Sequence, residues 1–232
     1  MFTSCLDSNG NRQQGSCYAV AGTNSSYTNT VLYTSGWGAL ASNNMGSFTS
    51  GKCYIVAFEI NYDEQPADAS TNNYVYAAIS GSEEVPFTNR GEALSIGEEI
   101  SPRENELVIS NAGIADLVKN HLFLEVISKQ ADKETVRYDL YYHRDSTSIG
   151  TNNEKIYNLY LVAEGGSSER TKEVGERVAC KIDSFWNWAA NEEIDNDLVY
   201  VCLKYVKAID ESGKIEWGET KMVSIANDKK KS

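Results

Sequence analysis

The stretch that decides the fold is HLFLEVISKQADKETVRYDLYYHRDSTSIGTNNEKIYNLYLVAE, His121 to Glu164. It reads as three consecutive strands, Leu122–Ser128, Thr135–His143 and Ile156–Ala163. In the middle one Val136, Tyr138, Leu140 and Tyr142 fall on one face, and Arg137, Asp139, Tyr141 and His143 on the other. A period of two built from β-branched and aromatic residues marks a half-buried strand rather than a helix. The connections, Lys129–Glu134 and Arg144–Lys155, are polar and short, so a β-meander is expected.

Working outward, the same reading continues on both sides. Cys53–Ile60 is apolar on both faces as far as Glu59 and reads as a central strand, followed by Tyr74–Ser80 and a short strand at Glu106–Ser110. Residues 87–105 are acidic and punctuated by Gly91, Gly97 and Pro102, which reads as loop. The spacing of Ile114, Leu117 and Val118 suggests a brief helix over Ala112–Asn120. Ile182, Phe185, Trp186 and Ala189 recur at helical spacing and predict a helix near 182–191. A hairpin of Asp197–Ile209 with Lys214–Ile225 closes the chain, its turn carrying Gly213 for a positive φ. Eight to ten strands without a βαβ rhythm predict a mainly β protein, an antiparallel sandwich or barrel of jelly-roll type with one or two short helices.

Residues 1–51 differ in kind. Asp7 and Arg12 are their only charges, and Ser, Thr, Asn, Gly and Tyr dominate. They read as an irregular N-terminal arm, with short strands at Cys17–Ala21 and Thr30–Thr34, preceding a β domain over 52–232. Large aliphatic side chains are too few for such an arm to offset its chain entropy alone. It is therefore expected to lie on its own domain or on a neighbour.

With 33 acidic against 21 basic residues, the net charge of −12 argues against binding a phosphate backbone. No apolar run reaches the roughly 20 residues of a membrane helix, and the start shows no secretory signal, so a cytoplasmic origin is expected. Five scattered cysteines form no CxxC pair, which fits free buried thiols; a Cys5–Cys17 bridge is the alternative. Two histidines, His121 and His143, suggest neither a nucleophile–base triad nor a metal site. The His143-Arg144-Asp145 triplet stands without the other parts of a kinase loop. No cofactor is expected. For a carboxylate-dependent hydrolase the candidates are Glu59 and Glu125.

Aromatic residues are the remaining functional signal. Tyr27, Tyr33 and Trp37 of the arm, Tyr141 on the polar face of its strand, and Trp186 and Trp188 are candidate contact residues. Together these features suggest a non-enzymatic structural or assembly protein, a self-assembling subunit or decoration of a virion, capsid or tail whose arm contacts neighbours in a homo-oligomer or other structural subunits. A carbohydrate- or ligand-binding module, with a glycan as partner, is the alternative.

Overall fold

A computed structural model describes residues 5–6, 11–26, 29–166, 170–227 and 229. The chain divides into two compact units, Met1–Pro86 with Asp116–His121, and Phe87–Ala115 with Leu122–Ser232.

The first unit is a closed barrel. Its strands are β1 (Cys5–Leu6), β2 (Arg12–Thr23), β3 (Thr30–Thr34), β4 (Gly38–Ala41), β5 (Cys53–Asn61), β6 (Val75–Tyr76) and β7 (Ala78–Val85). β2 pairs with β3 and with β5, and β3 pairs with β4. The stretch expected as one strand at Tyr74–Ser80 is split at Ala77. Its first half, β6, runs parallel to β4, and its second, β7, runs antiparallel to β5. Ala77 N–H donates to Ala41 O (2.8 Å), and Gln65 bonds the backbone of Tyr76 through both ends of its side-chain amide. The sheet thereby returns on itself with no open edge between β4 and β5.

Small residues on β2 make this closure work. Gly15, Cys17 and Ala19 stand opposite Phe58, Val56 and Tyr54 of β5, so the large rings and branched chains of one strand fill the space left by the other. Leu32, Leu40, Met45, Phe48 and Ile60 complete the interior. The uncharged composition of residues 1–51 is thus that of a barrel strand facing bulky partners: β2 pairs along its length with a strand beyond residue 51. Cys17 is a free buried thiol, so the Cys5–Cys17 bridge is not formed.

The second unit is built from two sheets and one helix. Its strands are β8 (Phe87–Glu92), β9 (Leu94–Ile96), β10 (Ile109–Val118), β11 (His121–Gln130), β12 (Arg137–Ile149), β13 (Lys155–Glu164), β14 (Lys172–Lys181), β15 (Leu198–Ile209), β16 (Ile215–Glu219) and β17 (Val223–Ala226), with α1 at Asp183–Glu192; the Asp116–His121 ends of β10 and β11 belong to the first unit. One sheet has the order β10-β11-β14-β8. The other runs β16-β15-β13-β12-β9, with β17 also on β15. Ser128 and Gln130 of β11, Tyr138 of β12 and Glu176 of β14 share a polar network between the two sheets. Burial, reinforced by Glu176, pushes the Tyr138 hydroxyl above the usual tyrosine range.

The mainly β reading of a sandwich or barrel with a short helix is correct. Several of its details need correction. The pairing is mixed, since β4–β6, β8–β14, β9–β12 and β13–β15 are parallel. The meander is not one sheet either, because β11 lies in the four-stranded sheet whereas β12 and β13 form a hairpin in the six-stranded one. The polar connection 131–136, with Lys133 at φ 58°, carries the chain between them. Residues 112–118 are strand, not helix: Lys119 and Asn120 take φ of 48° and 58°, and two consecutive positive φ values make a two-residue turn that joins β10 tightly to β11. The loop expected over 87–105 contains β8 and β9. Gly213 does take a positive φ, 79°.

Candidate functional site

The face of β12 that carries Arg137, Asp139, Tyr141 and His143 is not simply solvated. Residues 97–108, between β9 and β10, cross it as a strap. Ile100 of the strap packs over Val162, Val206 and Ile215 together with Tyr141 and Trp217, so the sheet has a small second core on its outer side. Arg103 fastens the strap. Its Nη1 lies 2.9 Å from Asp139 Oδ2 and 3.5 Å from Glu164 Oε2, and its Nη2 donates to the Tyr141 hydroxyl at 2.6 Å. Asp139 is 2% exposed. Glu106, buried close by, accepts from the backbone N–H of Arg103 (3.3 Å) and of Ala163 (3.1 Å).

Burial raises the Glu106 carboxyl above its ordinary value, against the pull of these hydrogen bonds and of Arg103. A raised folded-state pKa means that the folded protein prefers the protonated form. The associated stability is present below the unfolded carboxyl pKa and is lost as pH rises through the folded one. Glu106→Gln keeps an acceptor oxygen without the charge. It is therefore expected to gain stability relative to the parent as pH rises from about 4 to about 7. Urea unfolding across that range checks this; a constant or shrinking difference contradicts it.

Beside the strap the β12–β13 hairpin is deformed. Tyr142 stands opposite Leu159 and Thr147 opposite Tyr157, so His143, Arg144, Asp145 and Ser146 together face Asn158 alone. Such a bulge re-aims side chains that a regular strand would alternate. Asn158, 2% exposed, holds it from below, donating through Nδ2 to Ser146 O (3.2 Å) and Ser148 Oγ (2.9 Å). Within the bulge the Asp145 N–H donates to His143 Nδ1 (3.1 Å), so the imidazole proton sits on Nε2. The Ser146 hydroxyl pairs with that of Tyr160 (2.6 Å), and the Tyr160 ring meets Trp217 edge-on, centroids 5.1 Å apart.

Bulge and strap enclose a groove of about 410 Å³. Tyr160 and Trp217 form its aromatic side, and His143 and Ser146 supply hydroxyl and imidazole groups. Glu98 and Glu99 on the strap and Asp145 on the bulge bring three carboxylates, and no lysine or arginine is among the lining residues. This arrangement suits a cation with an apolar stem better than an anion.

The aromatic residues singled out in the sequence are mostly placed elsewhere. Trp186 is buried, and Trp188 stacks on Tyr142 (5.6 Å, 19°) and meets Tyr157 edge-on, so both pack α1 against its sheet. Trp37 lies edge-on to Phe58 at 5.5 Å, and Tyr33 hydrogen-bonds Thr23 O beneath the Lys119 ammonium. Tyr27 lies outside the described residues. Tyr141 alone stands next to the groove, under Arg103. Glu59 is half-buried and pairs with Arg12, while exposed Glu125 pairs with Arg177, so neither forms a buried carboxylate pair. Trp217, Tyr160 and Asn158 were missed. Their signal was a polar asparagine at a core position of β13, facing a polar run where the alternation of β12 stops.

The family model for a lipoprotein OB domain matches residues 9–83, the stretch that forms the barrel. No curated protein matches the chain. Among solved structures, an uncharacterised protein from Parabacteroides merdae superimposes with a TM-score of 0.76 at 18% identity, covering 92% of this chain and 99% of that one. A putative toxin-related protein from Parabacteroides distasonis gives 0.52 at 12% identity, over 93% and 95%. A NigD-like immunity protein from Bacteroides caccae gives 0.50 at 10%, over 92% and 97%. At these identities the likeness carries the fold. The expectation of a virion, capsid or tail subunit is overturned. What the chain resembles is a lipoprotein domain and proteins of Bacteroides and Parabacteroides, none of them described as a coat component.

Proposed function

We propose that this protein is a lipid-anchored, non-enzymatic binding protein of a bacterial envelope, and that its groove holds a basic segment of a protein partner. The observation that carries the reading is the groove: three carboxylates and two aromatic rings on a surface with no basic lining residue. The net charge of −12 and the immunity-protein name of one structural neighbour support it. A nucleic-acid partner for the barrel is disfavoured on charge, since Lys52 is the sole basic residue between positions 13 and 86.

Cys5 is the residue we assign to the anchor. It follows the small residues Thr3 and Ser4, whereas Cys17, Cys53, Cys180 and Cys202 are buried thiols. Burial pushes Cys17 and Cys180 up to about 12, which leaves almost no reactive thiolate. Two acyl chains on Cys5 would tether the protein durably, a task for which no helix among the described residues is long and apolar enough.

Both parts are testable. With a lipoprotein leader placed before Cys5, the full chain is expected to incorporate alkynyl-palmitate in bacteria and to lose the label as Cys5→Ser. Label that survives the substitution, or never appears, contradicts the anchor. For the groove, tetralysine is expected to bind in calorimetry and tetraglutamate not. The variant with Glu98→Gln and Glu99→Gln is expected to weaken tetralysine about tenfold, although it removes only two of 33 carboxylates. An unchanged affinity would place the binding elsewhere on the acidic surface.

A further inference from the structure

We infer that the occupant of the groove is an arginine side chain presented by the partner, an assignment that rests on the groove being a site for a basic protein segment. Two independent observations favour guanidinium over ammonium.

The first is the geometry of the groove itself. Its carboxylates come from two separate segments, Glu98 and Glu99 from the strap and Asp145 from the bulge, and the Ser146–Tyr160 hydroxyl pair joins the bulge to β13. A lysine ammonium is a compact point charge with three donors. A guanidinium offers five N–H groups spread in a plane, so it can reach acceptors on both segments while its face lies on an aromatic ring. Trp217, half-buried and set edge-on to Tyr160, provides such a ring in the lining.

The second is a precedent on the same sheet face. Arg103 is a guanidinium already held by this surface. It lies 5.8 Å from the centroid of the Tyr141 ring, donates to a tyrosine hydroxyl and pairs with two carboxylates, Asp139 and Glu164. The groove brings together the same kinds of group, with Trp217 and Tyr160 as rings, the Ser146–Tyr160 hydroxyl pair, and carboxylates from strap and bulge. It has no arginine of its own. The partner supplies the one that is lacking, on an exposed loop whose side chain enters between strap and bulge.

The test uses the full chain and three five-residue peptides of glycine and serine with one central residue: arginine, lysine or the neutral isostere citrulline. Binding is followed by NMR through the indole N–H of Trp217, assigned from its loss in Trp217→Phe. The arginine peptide is expected to shift that resonance and to bind about tenfold more tightly than the lysine peptide, and citrulline is expected to leave it unmoved. In the folded variant carrying Glu98→Gln and Glu99→Gln, both on exposed positions, the arginine response is expected to fall at least tenfold. Lysine binding as tightly as arginine overturns the arginine assignment and leaves the basic-partner reading standing. Failure of both cationic peptides to bind overturns both. Citrulline binding as well as arginine shows that charge is not what the groove reads, and an arginine response unchanged in the glutamine variant places the site elsewhere; either overturns the assignment.

Discussion

Asp139→Ala is expected to destabilise the second unit by about 3 kcal/mol and to release the strap. Asp139 is almost fully buried, and only its Oδ2 is engaged, by Arg103; Oδ1 finds no hydrogen-bond partner. The desolvation of this carboxylate is therefore offset chiefly by one guanidinium. Removing it leaves Arg103 in place, with 28% of its side chain exposed and Glu164 at 3.5 Å as its remaining carboxylate. Breaking a buried pair from one side costs about 3–5 kcal/mol, and partial exposure with a second acid nearby puts this case at the low end. Removing both partners is different, because no orphaned charge remains. Arg103→Met with Asp139→Leu should fall well below the sum of the single changes. Urea unfolding of the four proteins measures this coupling, and limited proteolysis over residues 97–108 reports the strap. A loss under about 1 kcal/mol for Asp139→Ala would show that the pair does not hold the strap down.

How much of this was legible in the sequence depends on which physical signal each element carries. α1 and the β15–β16 hairpin were readable because an apolar stripe and an Asp-Glu-Ser-Gly turn are local signals. β10 was misread because three apolar residues at helical spacing outweighed a Lys-Asn turn, an uncommon pair for two positive φ values. Closure of the barrel was invisible for another reason. Gly15, Cys17 and Ala19 look like a weak strand until they are set opposite Phe58, Val56 and Tyr54, and that register is a long-range fact. The groove was hidden for the same reason. Its walls come from residues 96, 98–100, 143, 145–147, 160 and 217, which no spacing rule connects. The tryptophans that looked most available, Trp186 and Trp188, were claimed by the packing of α1. The useful one, Trp217, sat on a short strand in the final hairpin.

Phe58→Ala tests the barrel argument directly, with an expected loss of about 4 kcal/mol. The ring is 2% exposed and fills the space above Gly15, where an added Cβ would come within 3.2 Å of its Cζ. Trp37 packs against it edge-on. Truncation opens a cavity that cannot collapse easily, because β2 and β5 are fixed to each other by continuous pairing and the sheet is closed on both sides. The same geometry predicts the sign of a compensation. Gly15→Ala alone presses a methyl group against the ring and is expected to cost about 1 kcal/mol. In the Phe58→Ala background that contact is gone and the methyl group enters empty space, so Gly15→Ala should become neutral or stabilising there. The two changes would then be coupled by about 1 kcal/mol or more across the strand pair. Strict additivity in a double-mutant cycle would mean that the glycine and the ring do not share one cavity, and the small-against-large account of β2 and β5 would have to be abandoned.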